Sequence, residues 1–237
     1  MAVSGGARGA LAGLGLSVRM GLPREPEAWA RRVATAPRRT YLAGSMGSSL
    51  APGILIAAPP LGDPNFDRSV VLLASHDPDG SFGWVINGRM VLTMGELLEQ
   101  AGFRPSARTD SALLNRGVCR GGPVATNQVW LIFPESPVTA DVEGQLRIAP
   151  GICATASRAL LERLAAGEEV PHVRAFAGYA GWAAGQLEHE VKVGAWLPGA
   201  AAEQLVFRQD TSSVWADAYA LQGTTPMAFT SRTVGSA

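Results

Sequence analysis

The stretch Asp63–Asn87, DPNFDRSVVLLASHDPDGSFGWVIN, decides how the chain is read. Its centre, SVVLLASH (69–76), is a short apolar run that opens on two valines, and β-branched residues favour an extended backbone. DPDG (77–80) follows, a combination that marks a tight turn. SFGWVINGR (81–89) then returns with strand composition, so the two runs form an antiparallel hairpin. The Asp63-Pro64 pair is the turn that feeds it.

Outward from this hairpin the pattern stays mixed. LAPGILIAAPP (50–60) places Ile54, Leu55 and Ile56 between prolines and reads as a buried strand. TMGELLEQAG (93–102) has Thr93 as N-cap, Glu96 three residues on and Gly102 as a stop, a capping box that predicts a helix. QVWLIFPE (128–135) predicts a strand ended by Pro134, and QLRIAPG (145–151) another. CATASRALLERLAAG (153–167) carries apolar residues at helical spacing, closed by Gly167. HVRAFAGYAG (172–181) begins as a strand and breaks into glycines, after which WAAGQLEHEVKVG (182–194) predicts a helix. QLVFRQ (204–209) predicts the last strand. TSSVWADAYALQG (211–223) predicts a helix starting at Thr211 or Ser212 and ending at Gly223. Strands and helices alternate without strict βαβ order, so the expectation is an α+β, or mixed α/β, fold in one domain from about 46 to 225. Residues 1–45 read as a flexible extension with one short helix in EPEAWARRVAT (25–35), and 226–237 as a C-terminal tail.

Composition narrows the class of partner. The 237 residues are 47% hydrophobic and 17% charged, enough for a packed core and too little charged for a disordered chain. Formal net charge is zero and the pI about 6.8, so the balance argues against DNA or an anionic membrane. WARRVATAPRRT (29–40) is the one basic patch worth naming, and it lies in the extension. Lys192 is the lone lysine, which reflects coding bias. Cys119 and Cys153 are far apart and neither sits at metal-ligand spacing, so both read as reduced, isolated thiols in a cytoplasmic protein. Arg120 beside Cys119 is the single hint of an activated thiol. No run reaches the roughly 20 apolar residues needed to span a bilayer, and the N-terminus is read as non-targeting.

DPNFDRSVVLLASHDPDGSFGWVIN, then GGPV (121–124), then FAGYAGWAAGQLEHEV (176–191) with GAWL (194–197) resemble, in this order, the YqgE/AlgH family of bacterial proteins. The resemblance covers the chain after residue 46. It implies a compact domain with a mixed, partly barrel-like sheet flanked by helices, and a cytoplasmic location. One branch is named for regulation of alginate synthesis and is labelled a transcriptional regulator, which is not a mechanism. This chain departs from the family pattern at Gly88-Arg89, where a Lys-Pro or Arg-Pro pair is usual, and at Cys119, where an aromatic or aliphatic residue is common.

Three glycine-punctuated segments hold the candidate ligand-binding residues: Asp63, Arg68 and Ser69; Arg120, Gly121, Gly122 and Pro123; and Tyr179, Trp182, Gln186 and Glu190. RGGPV admits two readings, a nest of N–H groups with Arg120 holding an anion, or a tight turn stiffened by Pro123. On a helix from Trp182, Gln186 and Glu190 share a face, while Glu188, His189 and Glu190 point apart and cannot chelate one metal. Gly178, Gly181 and Gly185 either open a helix N-terminus to an anion or permit tight packing beneath Trp182, with Gln186 bonding a neighbouring loop. Asp63 reads as a turn former, Asp67 with Arg68 as a solvated pair, and His76 as a hydrogen-bonded strand-end residue. With no H-E-x-x-H, G-x-S-x-G or G-K-[ST], no catalytic residue, metal or cofactor is assigned. The expectation is a binding protein for a small anionic ligand or a protein partner, acting on transcription indirectly, with the three segments meeting in one cleft. The alternatives are an enzyme of unknown reaction built from the same groups, or a regulator that contacts DNA.

Overall fold

The computed structural model describes residues 49–59 and 61–229. The expected helix and basic patch of the extension lie outside them. Ten strands form one sheet: β1 (Gly53–Ala57), β2 (Val70–Asp77), β3 (Gly80–Val85), β4 (Met90–Thr93), β5 (Gly117–Arg120), β6 (Val124–Pro134), β7 (Leu146–Ala149), β8 (Ile152–Thr155), β9 (Arg174–Ala183) and β10 (Trp196–Gly199). They run in the order β10-β1-β2-β3-β9-β6-β8-β7, with β5 also beside β9 and β4 beyond it. All pairings are antiparallel except β5 with β9. The helices are α1 (Met94–Gln100), α2 (Ser111–Leu114), α3 (Arg158–Ala165), α4 (Gln186–Lys192), α5 (Glu203–Val206) and α6 (Val214–Leu221), with a 3-10 turn at Pro137–Thr139.

The hairpin forms as its composition dictates. His76 faces Ser81 and Asp77 faces Gly80 across a two-residue loop, in which the Asp77 carboxylate accepts the Asp79 N–H at 2.9 Å. Alternation along β2 then divides the core. Val70 and Leu72 join Trp84, Ile86, Trp130 and Phe176 on one face, whereas Val71 and Leu73 join Val85, Trp182 and Trp196 on the other. Ile54 of β1 and Leu146 and Ile148 of β7 share the first cluster although many strands lie between them. The sheet therefore curls into a half-barrel around that cluster, and α5 and α6 close it with Val206, Val214 and Tyr219. Its outer face is covered in two parts, by α1, α2 and α3 over β5, β6 and β9, and by α4 over β2 and β3. The fold is thus a single α+β domain with a curled, partly barrel-like sheet.

Several local expectations hold in detail. Thr93 accepts the Glu96 N–H and Glu96 accepts the Thr93 N–H, completing the capping box of α1. Others change. FAGYAG does not break the strand: β9 runs through it to Ala183, and α4 starts at Gln186, four residues later than the expected Trp182. The cause is Gly178, whose φ of +74° inserts one extra residue without ending the pairing. Ala175 and Ala177 face outward before it and Ala180 and Trp182 after it, while Phe176 and Tyr179 both meet the inner core. QLVFRQ is not a strand, because Glu203–Val206 is a helical turn that buries Leu205 and Val206 and offers the Val206 carbonyl to Arg174. The helix predicted across 153–167 begins only at Arg158, capped by Ser157, and the preceding Ile152–Thr155 pairs with β6 and β7 as a strand. The last helix starts at Val214 rather than Thr211 or Ser212, with Ser213 as its N-cap.

Candidate functional site

The three segments converge along β9. Gly121 donates its N–H to the Ala177 carbonyl at 2.8 Å, and its own carbonyl accepts from Val85. A Cβ on Gly122 would lie 2.1 Å from the backbone of Tyr179, so the glycines of RGGPV and of FAGYAG exist to bring two backbones together. Gly121 and Gly122 are buried, and Pro123 is exposed beside them. This geometry matches the tight-turn reading, since the Gly121 N–H that a nest would offer is already engaged. Gly88 belongs to the same contact, because a Cβ there would meet the Arg120 carbonyl at 2.0 Å.

The 63–69 segment reaches the cluster through an apolar side chain that sequence reasoning passed over. Phe66 stacks on Trp182 at 6.0 Å and meets the edge of Trp196 at 5.5 Å. Asp63 caps its own turn, accepting the Asn65 N–H at 2.8 Å. Arg68 adopts a φ of +49°, and its carbonyl is held by the Asn87 amide while its guanidinium lies 5.8 Å over Trp215. Ser69 is buried, and its Oγ has no partner among the described residues. Among the described residues no base lies within hydrogen-bond reach of it to activate it as a nucleophile.

Glu190 is the hub of the third segment. One carboxylate oxygen accepts from both indoles, Trp182 at 2.9 Å and Trp196 at 2.8 Å, and the other accepts from Gln186 at 2.8 Å. Gln186 in turn accepts the Ala183 N–H at 3.0 Å. Every polar group on this face of α4 thus holds a neighbour in place, and the carboxylate also explains why two tryptophans can be buried with their N–H groups satisfied. Tyr179 packs on Phe82 with ring centroids 4.7 Å apart, toward the inner core.

One constellation was not foreseen as a unit. His76 Nδ1 lies 2.8 Å from Ser81 Oγ and its Nε2 3.8 Å from Glu188, an order that resembles a hydrolase triad. Ser81, however, is buried in the middle of paired strands, facing His76 on β2 and Trp182 on β9. The trio ties α4 to the hairpin. A recess of about 410 Å³ lies elsewhere, lined by Asp141, Glu143, Leu160, Arg163 and Glu168. In it Arg163 binds Glu168 through two nitrogens and Asp141 at 3.1 Å, which holds the Glu168 carboxyl below its ordinary range. No group of three metal-ligating side chains occurs among the described residues. No helix among them is long and apolar enough to cross a membrane.

Fold and site together define a compact half-barrel domain in which Glu190 and Gln186 hold the neighbouring indoles and backbone, and Gly121 and Gly122 admit β9 at close range. A family model described as AlgH-like matches residues 54–227, and the chain belongs to that family. A UPF0301 protein of Anaeromyxobacter dehalogenans is 38% identical over 183 residues, covering 77% of this chain and 92% of the relative. A UPF0301 protein of Xanthomonas axonopodis pv. citri is 36% identical over 166 residues, covering 70% and 85%. The solution structure of the AlgH protein from Pseudomonas aeruginosa superposes with a TM-score of 0.63 at 30% identity, over 80% of this chain and 97% of that one. The crystal structure of protein DIP2367 from Corynebacterium diphtheriae shares the fold, with a TM-score of 0.60 at 23% identity, over 76% and 91%.

Proposed function

We propose that this chain is a non-catalytic binding module whose partner is an extended protein segment. One observation carries the reading: Glu190 and Gln186 are engaged with the neighbouring indoles and backbone, while apolar side chains stand in solvent on a strand edge. Among the described residues strand β4 pairs only with β5, and on it Met90 is 61% and Val91 37% exposed. An open edge with apolar side chains is a template for strand addition. Arg89 and Arg120 border it, their backbones joined by a 2.9 Å hydrogen bond, and neither enters an ion pair among the described residues. The complementary occupant is an apolar strand that carries carboxylates. Action inside the cell is consistent with two free thiols, Cys119 and Cys153, and any effect on transcription is indirect, through that partner.

A random-peptide display library panned on the wild-type protein tests this. Enriched peptides should alternate apolar and acidic residues and lose at least about tenfold in affinity against a Met90→Lys/Val91→Lys double variant. Peptides that bind the double variant as well as the wild type would refute the strand-edge reading. Calorimetric binding of inorganic phosphate that Arg120→Ala abolishes would put a small-anion site in its place.

A further inference from the structure

Arg174 is the one charged residue among the buried side chains of the described core, 5% exposed at the first position of β9. Its guanidinium donates to the carbonyls of Val206 and Ile86, both at 2.8 Å, and lies 4.9 Å over Phe176. Carbonyls and an aromatic face orient a cation but do not neutralise it. A buried cation without a counter-anion is an unstable arrangement that favours any anion formed within reach. No carboxylate among the described residues pairs with it. The remaining group at which it aims an N–H is the sulfur of Cys119, 3.9 Å away on the adjoining strand β5. Cys119 is partly exposed, unlike Cys153, which is buried and whose thiol burial pushes up. Its strand neighbour on the other side is Met90, at the solvent-exposed edge.

We propose that Cys119 is a site of reversible oxidation by small peroxides, with Arg174 as the built-in counter-ion of the oxidised, anionic sulfur. In the step, the deprotonated Cys119 sulfur attacks one oxygen of hydrogen peroxide and the O–O bond breaks. The leaving hydroxide takes up a proton to become water, so sulfur is oxidised by two electrons and peroxide is reduced. The sulfenate that results sits against the guanidinium. A small cellular thiol reverses the change: it attacks the sulfenic sulfur and expels water to give a mixed disulfide, and a second thiol releases Cys119. Arg174 acts here as a positioning residue, and the inference stands independently of the strand-edge proposal.

The test treats the full chain with hydrogen peroxide in the presence of dimedone and maps the adducts by peptide mass spectrometry. Cys119 should be trapped at least about tenfold faster than the same thiol in an unstructured peptide spanning residues 115–123, with Cys153 unlabelled. Arg174→Lys should retain most of that advantage and Arg174→Met should lose it, while a thermal melt confirms that each variant is folded. Equal rates in protein and peptide overturn the proposal, and that comparison needs no variant. So does an Arg174→Met protein that folds and still reacts at the wild-type rate.

Discussion

Replacing Glu190 by alanine tests whether the convergence on α4 is structural. The substitution removes the acceptor of two indole N–H groups on Trp182 and Trp196, which are 6% and 2% exposed and cannot turn to water. A buried donor left unsatisfied costs about 1–3 kcal/mol. Glu190 itself is half-buried, so water reaches part of the vacated space and the lower half of the summed range applies, roughly 3 kcal/mol for the pair. At about 2–4 °C per kcal/mol for a domain of this size, Tm should fall by roughly 6–12 °C. Urea unfolding followed by tryptophan fluorescence and by circular dichroism should show a lower midpoint at an unchanged slope. Glu190→Gln keeps an acceptor and loses the charge, so its cost should be about 1 kcal/mol. A double-mutant cycle with Trp196→Phe should give a coupling of at least about 1 kcal/mol. If Glu190→Ala unfolds within about 0.5 kcal/mol of the wild type, or more stably, the carboxylate is not a structural hub, because groups held for a ligand stabilise the protein when removed.

Two further outcomes follow from the same geometry. Gly122→Ala should destabilise by about 3 kcal/mol or more in chemical unfolding, since its Cβ would overlap the Tyr179 backbone, whereas Gly185→Ala meets nothing within 4 Å and should cost only about 1 kcal/mol of left-handed strain. Burial pushes the Tyr219 hydroxyl from its ordinary 10.0 up to about 12, so the folded state holds this proton more tightly. The associated stability is complete below pH 10, is lost as pH rises toward 12, and should vanish from the alkaline titration of a Tyr219→Phe variant monitored at constant urea.

The hairpin, the capping box of α1 and the closure of α3 were legible because each depends on neighbours within a few positions. Turn chemistry, side-chain caps and short apolar runs carry their own instructions. Each of the three candidate segments touches or includes part of β9, through Phe66 on Trp182 and Gly122 on Tyr179. What they do there was not legible. Whether Gln186 and Glu190 face solvent or two indoles depends on Trp196, which stands on a strand that no local pattern announced. Arg174 offered a signal, a lone charge at an inward position of an apolar strand, but its partners Ile86, Val206 and Cys119 come from three other parts of the chain.

The chain by itself determined its family, its mixture of strands and helices and the position of its first hairpin, because these rest on composition and on short-range periodicity. Tertiary structure alone decided that β9 runs unbroken through its glycines, that β4 and β5 exist at all, and which side chains meet around Glu190 and Arg174. A four-residue strand such as β4 has too few side chains to declare itself, and the hydrogen bonds that define it come from β5, more than twenty residues downstream. Pairing of that kind is a property of the closed sheet, and so is the one apolar edge on which the proposed function rests.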